Sequence, residues 1–288
     1  MIINGRQIAI EIGEKLKREI VKINKVPALL VIQVGNEQAS ISFVRAKQKF
    51  ADSVGITVEI KKFANSVSTN ELMNEIKKAN ADPSIHGIIV QLPLPKQTDT
   101  KSVLDMIATH KDPDLLSSNS QTQFMKGGSK NLPPVVAAVA EIVERYKIDL
   151  HSADIVIIGS GKLVGEPIAT WLKNLGVKYA LITSKNEHPE NILRTADVII
   201  SGAGKPGLIK PDMIKENCVL IDAGTSESPS SASAGGRSHR FGLVGDADPT
   251  CALKCSLFTP VPGGVGPIAV AMLFRNLLAL QLSGPSAK

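Results

Sequence analysis

With 288 residues, 43% hydrophobic and 21% charged, the chain can bury one large core or two modest ones, and two domains are expected. A net charge of +6 is dispersed and aromatics are only 3%, which argues against nucleic acid and for small anionic ligands. The sequence is read as having no apolar run of membrane-span length and no signal-peptide core. Its three cysteines lack CxxC spacing and nearby histidines, so neither a disulfide framework nor a metal site is expected, and the setting is cytoplasmic.

Ile8, Ile12, Leu16 and Ile20 recur at helical spacing, and "ALLVIQV" (28 to 34) reads as a buried parallel strand. A helix beginning near Gln38 places Ser40, Phe43 and Lys47 on one face. "ITVEI" (56 to 60), a helix opened by the capping box Ser68 to Glu71, and the strand "GIIVQL" (87 to 92) continue a βα alternation, which implies a parallel sheet. Residues 111 to 134 read as irregular structure, and "VVAAVAEIVERY" (135 to 146) as a helix. "ADIVIIGSG", "YALITS", "ADVIISGAG" and "CVLIDAG" are strand-like runs of a second α/β unit. Residues 227 to 240 are expected to be a mobile loop, 266 to 280 a helix, and "SGPSAK" a frayed tail.

Gln91 closes a buried strand and is followed by Pro93 and Pro95, so it points into the crevice where α/β proteins bind ligands. Asp114 lies in the irregular stretch over that crevice. A lone lysine such as Lys47 is usually solvated and a loop aspartate usually a turn former; their joint placement makes them candidates.

"GSGKLVGEP" (159 to 167) follows a strand and opens a helix, the setting in which Gly159, Gly161 and Gly165 let backbone N–H groups approach a pyrophosphate. The next strand ends at Ser184 and Lys185, a hydroxyl and a cation suited to a 2′-phosphate. NADP is therefore expected, and Glu187 nearby keeps NAD open. "TPVPGGVGP" (259 to 267) is either a proline-stiffened helix entry or a place where Pro262, Gly263 and Gly264 bring backbone close to a ligand.

These blocks, with "VGNEQASISFVRAKQK", "GIIVQLPLP", "KDPD", "ADVIISGAGKPGLIKPDMIK", "VLIDAG" and "LVGDAD" in the same order, resemble the methylenetetrahydrofolate dehydrogenase/cyclohydrolase family over nearly the whole chain. The resemblance implies an α/β fold of two domains with folate in a cleft. These are a catalytic domain of residues 1–137 with 267–288 and a Rossmann NAD(P)-binding domain of 138–266. It also implies oxidation of 5,10-methylenetetrahydrofolate with NADP, hydrolysis of the methenyl product to 10-formyltetrahydrofolate, a homodimer, and a place in one-carbon metabolism and purine biosynthesis.

By the same resemblance Lys47 assists the hydrolysis with Gln91 as partner, Asp114 holds the pterin, and Ser40, Phe43 and Pro262 to Gly264 contact substrate. Gly159, Ser160, Gly161, Val164, Gly165, Ser184, Lys185 and Thr225 form the expected cofactor set. The chain departs from the family pattern at Phe43 (tyrosine in the family), Ser160 (arginine), Leu115 to Ser117 (Gly-Phe-His), Pro134 to Val136 and Ala269. Those departures define two alternative readings, a non-catalytic folate- or nucleotide-binding paralogue and an oxidoreductase for another small substrate.

Overall fold

The computed structural model describes residues 1–23, 25–229 and 241–283. The chain forms two compact units, one of residues Ala9–Pro134 with Val270–Lys288, the other of Met1–Ile8 with Val135–Ala269.

Helix α1 (Gly5–Ile20) buries Ile8, Ile12, Leu16 and Ile20, the predicted stripe. Strand β1 (Ala28–Val34) follows, then α2 (Gln38–Val54), β2 (Thr57–Phe63), α3 (Thr69–Ala81) and β3 (Gly87–Val90). The strands form a parallel sheet in the order β2-β1-β3, with Leu30 opposite both Glu59 and Ile88. Gly55 ends α2 at φ +78°, where a left-handed residue lets its N–H reach the Ala51 carbonyl. At the head of α3 the Ser68 hydroxyl accepts from the Glu71 N–H and the Glu71 carboxylate from the Ser68 N–H, the reciprocal cap expected from sequence. Leu30, Ile32, Leu72, Ile76, Ile88 and Val90 form the core between this sheet and α3.

The stretch read as irregular is partly helical. After α4 (Thr100–Asp105) and a 3-10 turn at Thr109–Lys111, helix α5 spans Ser118–Met125. Its signal is local: the Ser117 hydroxyl caps it by accepting from the Ser120 N–H, and only Ser120 and Phe124 are buried.

The second unit begins with α6 (Pro134–Arg145) and continues through β4 (Ile155–Ile158), α7 (Gly165–Asn174), β5 (Ala180–Ile182), α8 (Pro189–Leu193), β6 (Val198–Ser201) and β7 (Val219–Asp222). Strands β8 (Ser226–Pro229) and β9 (Phe241–Val244) pair antiparallel, so residues 227 to 229 of the expected mobile loop are strand; residues 230–240 lie outside the described residues. A fifth parallel strand, β10 (Leu257–Phe258), completes the order β10-β7-β6-β4-β5. Beside β10 the Ile3 N–H donates to the Phe258 carbonyl at 2.9 Å and Ile2 bridges Phe258, which ties residues 1–8 to this unit rather than to the one that follows them in sequence. Cys218, Cys251 and Cys255 are buried thiols in its core with Val156, Ile199 and Leu220.

Helix α9 (Val265–Ser283) closes the described chain; residues 284–288 of the expected frayed tail lie outside it. By length and composition α9 does match a membrane span, contrary to expectation. The reason is core packing: Ala271, Met272, Leu273, Phe274, Leu277 and Leu278 are buried, and Phe274 stacks on Phe50 of α2 with ring centroids 5.4 Å apart.

Candidate active site

Helix α2 carries Lys47 on the face that also bears Ser40, which is buried, and Phe43, which is half-buried. Gln91 stands one residue past the end of β3. Its side-chain amide donates to the Leu92 carbonyl at 2.8 Å, which turns Oε1 toward Lys47, and the Lys47 ammonium donates to that oxygen at 2.7 Å. Burial pulls Lys47 below the ordinary lysine range against the opposing charge of Asp114. Burial likewise pushes the Asp114 carboxyl up, with Lys47 opposing and Asp112 adding to the rise. The structure thus brings Lys47, Gln91 and Asp114 together. An amine whose protonated form is disfavoured, fixed by a neutral acceptor, can take up and return a proton nearer neutrality than a solvated lysine.

Residues to which the sequence reading gave no part in the site shape this cluster. Asn276 of α9, 2% exposed, donates from Nδ2 to the carbonyls of Pro113 and Leu132 at 2.9 and 2.8 Å, pinning the segment on either side of α5. The buried Asp112 carboxylate accepts from the N–H groups of Leu116 and Ser117 and from the Ser117 hydroxyl. Leu115 holds φ +55°, a region that costs a residue with a Cβ about 1–2 kcal/mol, while burying its side chain contributes about 1.5–3 kcal/mol. Packing offsets the strain, and the loop beside Asp114 keeps its shape. The available signals were a lone Asn in the apolar run "AMLFRNLLAL" and the first acid of "KDPD".

The cofactor candidates lie in the other unit. Gly159 leaves β4 at φ +96°, and a Cβ there would meet the backbone of Gly202 and Ala203 at 2.8–3.0 Å. Gly165 opens α7 directly against the Gly159 carbonyl, where no Cβ fits, and the Val164 side chain fills the space that a Cβ on Gly202 would need. Val164 is therefore a packing residue of the turn. Ser160 and Gly161 are exposed at the N-terminus of α7, where N–H groups and the helix dipole favour an anion. Ser184, Lys185 and Thr225 are exposed as well. The Ser184–Lys185 tip is shaped by Asn186, whose side-chain oxygen accepts from the Thr183 N–H at 2.8 Å, and by the Lys185 N–H donating to the Thr183 hydroxyl at 3.3 Å.

Pro262, Gly263 and Gly264 belong to this unit too and stand immediately before α9. Gly264 is packed against Thr259 and Pro260, which leave no room for a Cβ. Gly263, at φ +112°, has open space on its Cβ side and offers its carbonyl to the Gly5 N–H at 2.9 Å. Close packing explains one glycine, and backbone conformation beside an open face the other.

The profile of the tetrahydrofolate dehydrogenase/cyclohydrolase catalytic domain matches residues 3–114, and that of the same family's NAD(P)-binding domain matches residues 133–283. A protein of Campylobacter concisus described as bifunctional protein FolD is 37% identical over 285 residues, covering 97% of both chains. The crystal structure of the bifunctional enzyme FolD, methylenetetrahydrofolate dehydrogenase/cyclohydrolase, of Campylobacter jejuni superposes with a TM-score of 0.88 at 33% identity, over 97% of this chain and 98% of that one. The Trypanosoma brucei FolD structure, complexed with NADP cofactor and inhibitor, gives 0.90 at 30% identity, over 97% and 96% of the two chains. With both domain profiles matched and relatives above 30% identity along nearly its whole length, the chain belongs to the tetrahydrofolate dehydrogenase/cyclohydrolase family.

Proposed function

We propose that the chain oxidises 5,10-methylenetetrahydrofolate to the methenyl compound with NADP and hydrolyses that product to 10-formyltetrahydrofolate. The observation that carries this reading is the Lys47–Gln91–Asp114 cluster in a chain that matches both domains of the family. NADP supplies the acceptor for the hydride that leaves the folate methylene. The chain's residues fit that cofactor. The Gly159 to Gly165 turn holds a bare backbone surface at a helix N-terminus, and Ser184 and Lys185 supply a hydroxyl and a cation for the 2′-phosphate. The NADP bound by the Trypanosoma brucei relative supports the same choice.

Hydride transfer asks the protein for positioning more than for proton transfer. Hydrolysis asks for both. Water adds to the methenyl carbon, the bond from that carbon to N5 breaks, and one net proton is released. Lys47 as the free amine takes a proton from the attacking water and as the ammonium returns it to the departing N5, while Gln91 keeps the nitrogen aimed. Asp114 receives the pterin's N–H donors, Phe43 stacks on the ring system, and Ser40 adds a further substrate contact from the same helix as Phe43. Assembly as a homodimer is part of the same reading, and sedimentation velocity checks it.

Ultraviolet time courses test the function. Purified protein with 5,10-methylenetetrahydrofolate should reduce NADP faster than NAD, and methenyltetrahydrofolate alone should decay faster than in buffer. Folate binding without either signal would overturn the enzyme reading in favour of a binding paralogue.

A further inference from the structure

Three sequence blocks left without a role by the proposed function, "VLIDAG", "LVGDAD" and the start of "TPVPGGVGP", meet at the carboxyl ends of the five-stranded sheet. Asp246 is fully buried and takes three donors there. Its Oδ2 accepts from the Ser201 hydroxyl at 2.6 Å and from the Ala203 N–H at 2.7 Å, and its Oδ1 accepts from the Lys205 N–H at 2.7 Å. Asp222 accepts from the Gly224 N–H at 2.9 Å and the Ala247 N–H at 2.8 Å, and its own N–H donates to the Thr259 hydroxyl at 2.7 Å. The backbone runs so close that neither Gly224, against the Asp246 carboxyl, nor Gly245, against Asp222, has room for a Cβ.

Two buried carboxylates side by side are costly, and Asp222 is pushed up to about 6 by burial, with the charge of Asp246 adding to the rise. A structural scaffold alone would be served by neutral groups. What this arrangement supplies is a set of charge-assisted bonds to the N–H groups of two loops. One loop, Gly202 to Lys205, backs the dinucleotide turn through Val164 and Gly159. The other, Ala223 to Thr225, ends in a cofactor candidate and is joined to the first by the Ser226 hydroxyl donating to the Gly204 carbonyl at 2.9 Å.

We propose that Asp246, seconded by Asp222, is a positioning residue for the dinucleotide, holding the loops after β6 and β7 in the shape that cofactor binding requires. This rests on the NADP reading above. The test is Asp246→Asn, which keeps the shape but can present an oxygen on only one side. If the amide oxygen takes the place of Oδ2 beside Ser201 and Ala203, the amide NH2 replaces Oδ1, faces the Lys205 N–H, and that loop bond is lost.

NADP titrations by calorimetry and dehydrogenase kinetics at varied NADP should then show Kd and KM raised about tenfold or more, with kcat lowered less. Cyclohydrolase activity, assayed without dinucleotide, should stay within about twofold of the parent, a ratio that general unfolding would not leave intact. Ser201→Ala removes one donor and keeps the charge. It should raise KM for NADP about threefold, and it carries the test should the first variant not fold. Unchanged NADP affinity in a folded variant, or equal loss of both activities, overturns the proposal. A parent protein that binds neither NADP nor NAD overturns the cofactor reading along with it.

Discussion

Replacing Lys47 by glutamine leaves a side chain able to reach Gln91 but removes the proton carrier. The expected outcome is a fall in cyclohydrolase rate of about a hundredfold or more, with most dehydrogenase activity remaining, read by following methenyl decay and NADPH formation separately. Equal loss of both would remove Lys47 from its role. Because burial holds Lys47 below its usual 10.5, the ascending limb that it contributes to the cyclohydrolase pH profile as a free-amine base should fall below the ordinary lysine range. Asp114 opposes that lowering, so Asp114→Asn should move the limb further toward acid in whatever activity survives; a shift toward alkali would show that the two groups do not interact as the structure has them. Lys185→Ala should raise KM for NADP by roughly tenfold and leave KM for NAD nearly unchanged, since only the 2′-phosphate needs the cation. An unaltered preference between the two would take Lys185 out of the site.

Asn276 shows what one polar residue does for a whole helix–loop assembly. Asn276→Ala leaves the carbonyls of Pro113 and Leu132 without their donor, at a cost of about 2–4 kcal/mol by urea denaturation, and loosens the segment that carries Asp114. A stability loss under about 0.5 kcal/mol would mean that water replaces the side chain without penalty. At the same scale the sequence was legible where pattern and capping agree. Helices α1 and α3 followed from their apolar spacing and the Ser68 box, and β1 from its short, nearly continuous apolar run, six of whose residues are buried. Helix α5 escaped because it buries only two residues and begins on a cap inside a polar stretch, and β10 because two residues carry no periodicity. Lys47, Gln91 and the glycine turn could be placed from strand ends and helix faces. Asp112, Asn276 and Asp246 could not, because each acts on backbone that local pattern does not connect to it.

The stability of the folded protein should carry the mark of Asp222. A carboxyl raised from 3.8 to about 6 holds a proton in the folded state that the unfolded chain releases, so the stability it contributes is full below about 4 and lost as pH rises through 6. A rise of that size corresponds to about 3 kcal/mol. Urea midpoints of the parent and Asp222→Asn between pH 4 and 7 should therefore diverge, the parent losing ground to the variant as pH rises and the difference levelling off above 6. A pH-independent difference would contradict the buried pair.

The attachment of residues 1–8 to β10 also sets an order of events during synthesis. The segment leaves the ribosome long before its partner Phe258, which is made some 250 residues later, so the five-stranded sheet cannot gain its outer edge until β10 has emerged. At about 5–20 residues per second that interval is on the order of ten to fifty seconds. Through it the amphipathic start of α1 must wait without its final neighbours, while the unit of residues 9–134 has most of its sheet and helices already in hand.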